Sequence, residues 1–172
     1  MDEPFHLAQV NIARMIAPFD SPELASFAAL LDEINALADA SDGFVWRLQG
    51  GEGNATYLRP YDDDFILLNM SVWTSIDALK AYAYQSAHAD VMRRRREWFS
   101  RFEQPTATLW WVRAGDIPTA GEAVARLEYL RVHGPTCFAF TFKTTYPASA
   151  DGLVLPGNRR ARPCAAGSIA DE

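Results

Sequence analysis

His88 and Arg95 stand seven residues apart in SAHADVMRRRREWF, residues 86–99. An imidazole titrates near neutral pH, so it serves as general base, general acid or metal ligand. A guanidinium holds carboxylates and other anions through a rigid fork of donors. At about 100° per residue, seven residues bring a helix back to within about 20° of its start, so both side chains share one face. Val91, Met92, Trp98, Phe99 and Phe102 fall around them as an apolar arc, while Arg93, Arg94 and Arg96 fall outside it. A cation on an apolar face needs a partner. For Arg95 that partner is either a carboxylate from Asp62, Asp63 or Asp64, as a structural ion pair, or an anionic ligand. His88 is either a neutral histidine donating to a backbone carbonyl or a site residue.

These side chains depend on elements that alternate between period two and period 3.6. Residues 5–13, FHLAQVNIA, read as a first strand. Ser21 as N-cap and Pro22 at the first helical position open a helix with Leu24, Phe27, Leu31, Ile34 and Leu37 on one stripe. Residues 44–50 and 65–73 read as strands two and three. A second helix starts at Ser75 and leads into the His88 segment, directly or after a break near Gln85 and Ser86. Residues 105–113 read as a fourth strand. Thr119 and Glu122 form a capping box for a helix that ends at His133, before Gly134 and Pro135. Residues 137–142, CFAFTFK without its lysine, alternate aromatics and read as a fifth strand or an apolar arm. The order β-α-β-β-α-β predicts an α+β, ferredoxin-like sandwich with a C-terminal helix and an extra strand or arm. Residues 1–145 form the expected domain, and 146–172 a flexible tail.

Sheet faces carry information because side chains alternate. Ile66, Leu68, Met70 and Val72 make a wholly apolar face suited to packing under helices. Phe65, Leu67, Asn69, Ser71 and Trp73 make the other, joined by Leu7, Gln9 and Asn11 of the first strand. That mixed face is too apolar for open water and needs cover. A second copy's sheet would supply it across a dimer axis, enclosing a cavity with a few polar groups. The C-terminal helix and residues 138–142 would supply it within one chain.

Other patterns carry less. Asp62–Asp64 in a loop reads as a solvated turn rather than a cation site. The glycine-rich residues 50–53 lack the strand-to-helix context of a phosphate cradle, and GxSxG, HExxH and CxxC are absent from the sequence. Trp46, Trp110 and Trp111 read as core, with Trp110 also a candidate for the cavity wall. The 172 residues suffice for one domain with a core, at 49% hydrophobic and 12% aromatic. Sixteen basic against 22 acidic residues give a net charge of −6, which argues against a nucleic-acid partner. No apolar run is long enough to span a membrane, and the first residues lack a signal-peptide pattern. Cys137 and Cys164 read as free thiols of a cytoplasmic protein.

A strand ending in Val-Trp, a Ser-capped helix with Leu and Tyr, and then Ser-x-His, as in NMSVWTSIDALKAYAYQSAH, resembles the dimeric α+β-barrel superfamily of antibiotic-biosynthesis monooxygenases. The longer run of LAQVNIAR, DEINALADASDGFVWRLQ, LRPYDDD, RRRREWF and LWWV resembles one bacterial branch, a domain of unknown function of the 3291 type. This resemblance spans about residues 7–142. It implies the fold and a homodimer, and no assigned activity. Haem-degrading members of the wider superfamily use an Asn, a Trp and an iron-ligating His, and the matching positions here are Asn11, Tyr82 and His88, with tyrosine in place of tryptophan.

The first functional reading is a monooxygenase-like enzyme for an aromatic or polyketide-like small molecule in an apolar cavity, with no cofactor. His88 is its base, Asn11 and Asn69 donate to developing oxyanion character, and Arg95 holds an enolate or carboxylate. Gln9, Trp73, Tyr82 and Trp110 contribute to substrate binding. The second is a haem protein with His88 as axial ligand and the only metal contact. The third is a non-catalytic module for a small apolar ligand.

Overall fold

The structure, a computed structural model, describes residues 4–49 and 61–156. The glycine-rich loop at 50–53 lies outside them. A single antiparallel sheet is built around β1, Phe5–Met15. β3, Ile66–Trp73, runs along one side of β1 and sets Leu7 against Trp73, Gln9 against Ser71 and Asn11 against Asn69. β2, Phe44–Arg47, pairs with the outer side of β3. The other side of β1 is shared between β5, Ala107–Arg113, and the two-residue β4, Phe99–Ser100. The fold is α+β, with the strand and helix order read from the sequence.

Opposed residues of an antiparallel pair point to the same side, so each register row belongs to one face. One face consists of Ala8, Val10, Ile12, Leu68, Met70, Val72 and Trp110, and all are buried. The helix that covers it is α4, Ala120–His133, through Ala123 and Leu127. Each large aliphatic side chain fully buried there stabilises the fold by roughly 1.5–3 kcal/mol.

The other face lies under α1, Ala25–Asp39, α2, Ile76–Gln85, and α3, His88–Arg94. At one end α2 lays Leu79 and Tyr82 against Leu7 and Trp73, with Phe140 beside them. At the other, Leu24, Phe27 and Leu30 meet Met15, Phe65, Leu67, Val91 and Trp98. Both faces therefore carry helices of the same chain, the second at its two ends, with Asn69 exposed between them.

Local chemistry fixes the element ends. The Ser75 hydroxyl accepts from Ala78 N at 3.1 Å and opens α2, and the Thr119 hydroxyl accepts from Glu122 N at 3.1 Å and opens α4. Ser21 does not cap α1, because a short 3-10 turn, Pro22–Leu24, intervenes. Gly43 has a φ of 78° and its Cα is crowded: an added Cβ would lie 2.6 Å from both Ala78 Cβ and Thr74 Oγ1. Only glycine allows β2 to start that close to the β3–α2 corner.

Residues 137–142 do not form a full strand. They make one bridge, Phe140 to Leu109, whose backbone groups exchange bonds of 2.8 and 2.9 Å. The tail expected to begin at 146 is packed further than that. Trp111 Nε1 donates to Tyr146 O at 2.8 Å, Tyr146 Oη donates to Pro135 O at 2.9 Å, and a 3-10 turn at Ala150–Leu153 buries Gly152. Residues from 157 onward lie outside those described. The thiols also differ from expectation: Cys137 is disulfide-bonded, and Cys164, the other cysteine of the sequence, lies outside the described residues. Among the described residues no helix is long and apolar enough to cross a membrane.

Candidate functional site

The helix-covered face has an apolar cluster at each end and a polar floor between them. Its rows are Gln9 with Ser71 and Asn11 with Asn69. The Ser71 hydroxyl accepts from Trp73 Nε1 at 2.8 Å and from Gln9 Nε2 at 3.0 Å. One row on, Asn69 Nδ2 donates to Asn11 Oδ1 at 3.2 Å. Ser71 is buried, Gln9 and Asn11 are half-buried, and Asn69 is exposed. The floor is thus accessible at its Asn69 side.

Above it, α2 and α3 run from the Trp73 end of the sheet to the Met15 end, since Leu79 is anchored in the first cluster and Val91 in the second. His88 stands between those anchors along the chain and reaches the sheet through the rings of Tyr82 and Trp73. Its position depends on a break in the helix. The Ser86 hydroxyl donates to Tyr82 O and accepts from His88 N at 3.1 Å, ending α2 and starting α3. A chain of rings then connects the histidine to the sheet. His88 lies on Tyr82 at 4.6 Å between centroids, Tyr82 stacks on Trp73 at 5.0 Å, and Trp73 meets Phe44 edge-on at 5.4 Å.

Burial pushes the His88 pKa down, and a contact of 3.5 Å from Nδ1 to Ala83 O opposes this only in part. With Nδ1 toward a carbonyl, the neutral ring carries its proton there and leaves Nε2 as a base. Burial likewise pushes the Tyr82 phenol well above its ordinary range, so it stays protonated; its Oη lies 3.5 Å from Ile34 O. His88, Tyr82, Trp73, Gln9, Asn11 and Asn69 are therefore all on this face or against it.

Arg95 and Trp110 are not. α3 is one short helix, His88–Arg94, that buries none of its side chains fully, and Arg95 opens the 3-10 turn Arg95–Glu97 that follows it. Arg95 is exposed, and Asp63 bonds Arg14 at 2.9 Å instead. Trp110 points to the opposite face, under α4, and is fully buried there.

The buried guanidinium of the described chain is Arg126, which sequence reasoning passed over. It is 2% exposed and donates to Glu122 Oε1 at 2.9 Å, Phe138 O at 2.5 Å and Gly152 O at 2.9 Å, above the ring of Phe138. A sign was present: Arg126 falls between Ala123, Leu127 and Leu130 on the apolar stripe of α4, four residues after Glu122. Ser71 was likewise seen as part of a face but not as the centre of its network.

Tyr82 covers one face of the His88 ring and Nδ1 faces the Ala83 carbonyl, so the nitrogen open to an axial haem iron would be Nε2. Of two pockets among the described residues, neither is lined by His88. One, of about 380 Å³, lies between β5 and α4 beside Arg113 and Arg126, and one, of about 200 Å³, lies at the α1–α3 seam beside Leu30, Ile34 and Val91. No group of three metal-ligating side chains occurs among the described residues.

The sequence profile of DUF3291, a domain of unknown function, matches residues 6–153. The chain belongs to this family. No curated relative matches the DUF3291 chain by sequence. Among solved structures, SnoaB, a cofactor-independent oxygenase from Streptomyces nogalater, is 22% identical, with 66% of this chain and 98% of that chain covered at a TM-score of 0.45. A protein of unknown function from Nitrosomonas europaea is 15% identical, with 69% and 100% covered at a TM-score of 0.41. A conserved protein from Methanosarcina mazei is 12% identical, with 64% and 94% covered at a TM-score of 0.43.

Proposed function

We propose that the chain is a cofactor-independent, monooxygenase-like enzyme that takes an aromatic or polyketide-like molecule onto the helix-covered face of the sheet. The observation that carries this reading is the ring chain from the half-buried His88 through Tyr82 to Trp73, whose indole bonds Ser71 in an uncharged floor of amides and a hydroxyl between two apolar clusters. Apolar ends suit fused rings, and neutral donors suit carbonyl or delocalised oxyanion oxygens.

The chemistry such a face supports begins with proton removal. His88 takes a proton from an acidic ring CH2 next to a carbonyl, and the charge spreads onto that carbonyl oxygen, held by Asn11 and Asn69. Dioxygen is the co-substrate and oxidant. It bonds to the carbanion carbon, the hydroperoxide is protonated by the His88 imidazolium, and loss of water leaves a new carbonyl. The substrate carbon is oxidised, one oxygen atom enters the product and the other leaves as water. Arg95, exposed as it is, has no part in this.

The test is dioxygen uptake with anthrone as the probe, comparing the intact protein with His88→Ala and Asn69→Ala. Uptake above the uncatalysed rate that drops by about 10²- to 10⁴-fold in His88→Ala is the expected result for a general base. Uptake unchanged in both variants would remove the catalytic reading.

A further inference from the structure

Ser71 sits at the centre of the polar floor, and its bonds have one polarity. Both neighbours are nitrogen donors: Trp73 Nε1 at 2.8 Å and Gln9 Nε2 at 3.0 Å. A hydroxyl has two lone pairs and one proton. Here both lone pairs are used, and no acceptor for the proton occurs among the described residues. The residue is nevertheless buried, at 6% exposure. An idle donor in so dry a place is costly unless something accepts from it.

The surroundings define what that acceptor is. The neighbouring row leaves further donors, since Asn69 Nδ2 uses one of its two protons on Asn11 Oδ1 and the Asn11 amide nitrogen has no acceptor among the described residues. Gln9, Asn11, Asn69 and Ser71 are all uncharged, so no fixed cation invites a free carboxylate or phosphate. The walls are apolar at both ends. The indole that bonds Ser71 also stacks on Tyr82 and so on His88, which ties the hydroxyl's orientation to the ring chain.

We propose that Ser71 is a specificity-determining residue, whose hydroxyl donates to a ring carbonyl oxygen of the ligand and selects aromatic ketones over hydrocarbons of the same shape. This rests on the reading of the face as the substrate site, and deepens it. Trp73 and Gln9 act through Ser71 as positioning residues, because they occupy its lone pairs and leave the proton only one direction to go.

The experiment is direct binding of two matched probes, α-tetralone and tetralin, which share a skeleton and differ in the carbonyl. The intact protein should prefer the ketone by about three- to tenfold, the worth of one neutral hydrogen bond. Ser71→Ala should abolish that preference while tetralin binding persists. Ser71→Cys, which keeps the shape with a much weaker donor, should do the same and covers the case in which alanine fails to fold. A preference that survives in both variants would overturn the role of Ser71 while leaving the face as the site. Loss in Gln9→Leu but not in Ser71→Ala would put the donor on Gln9 and overturn the assignment. Binding of neither probe to the intact protein would sink the substrate site itself, and this inference with it.

Discussion

His88 lies against Tyr82, with 4.6 Å between ring centroids and 33° between planes, at a break that Ser86 builds between two helices. The stack takes the imidazole partly out of water and leaves it no carboxylate partner, which is why its pKa falls.

Stability should therefore depend on pH through this residue. A histidine with a lowered folded pKa is protonated more readily in the unfolded chain. Between its folded value and its ordinary value of about 6.5, the unfolded state binds the extra proton, so stability falls as the pH drops through that window. Above the window the effect vanishes. Urea midpoints at pH 7.5 and 5.5 should differ less in His88→Gln than in the intact protein. Equal differences in the two would show that the ring is hydrated in the folded state.

Arg126 should prove a structural cation. It joins α4 to the carbonyls of Phe138 and Gly152, and removing it leaves both carbonyls buried without a donor. Arg126→Met is expected to cost roughly 1–3 kcal/mol for each carbonyl left buried without a donor, since Glu122 keeps access to water. Chemical denaturation measures this directly. A loss below about 1 kcal/mol would mean that water replaces the guanidinium.

The two arginines show what was legible in the sequence. Strand alternation and caps gave β1, β3, β5, α2 and α4 nearly to the residue, because those signals are local. The register followed no local signal, yet Asn11 and Asn69, chosen separately, prove to be directly opposed. Arg95 was misplaced because a helical wheel tells which side chains share a direction and not whether anything covers it, and α3 buries none of its side chains fully. Face assignment failed similarly: alternation tells which residues share a face, but which helix covers it is settled only in three dimensions. A serine that accepts two bonds is likewise invisible until its strand neighbours are placed.

Haem should give no His88-dependent signal. An axial iron would take Nε2, the nitrogen that the Ala83 contact leaves free, but the pocket found beside α3 holds about 200 Å³ and His88 does not line it. Adding haemin to the protein and to His88→Ala should give the same Soret absorbance in both. A band lost only in the variant would mean that the α2–α3 break opens to admit a porphyrin.

Oligomeric state follows from the position of α4. Pairing through the face of Val10, Met70 and Trp110 would require α4 to leave, and its Ala123 and Leu127 are fully buried. Expelling it would also break the Arg126 bonds to Phe138 and Gly152. The opposite face carries helices at its two ends and is open at Asn69. Sheet-to-sheet pairing through the first face would therefore have to displace α4, so the homodimer read from the sequence must form elsewhere, and sedimentation equilibrium should return twice the mass of one chain. The mass of one chain would remove the partner, and with a dimer the response to Leu127→Ala is informative. Dimerisation that strengthens in that variant would show α4 competing with a partner for the sheet, whereas dimerisation that is unchanged would place the contact elsewhere.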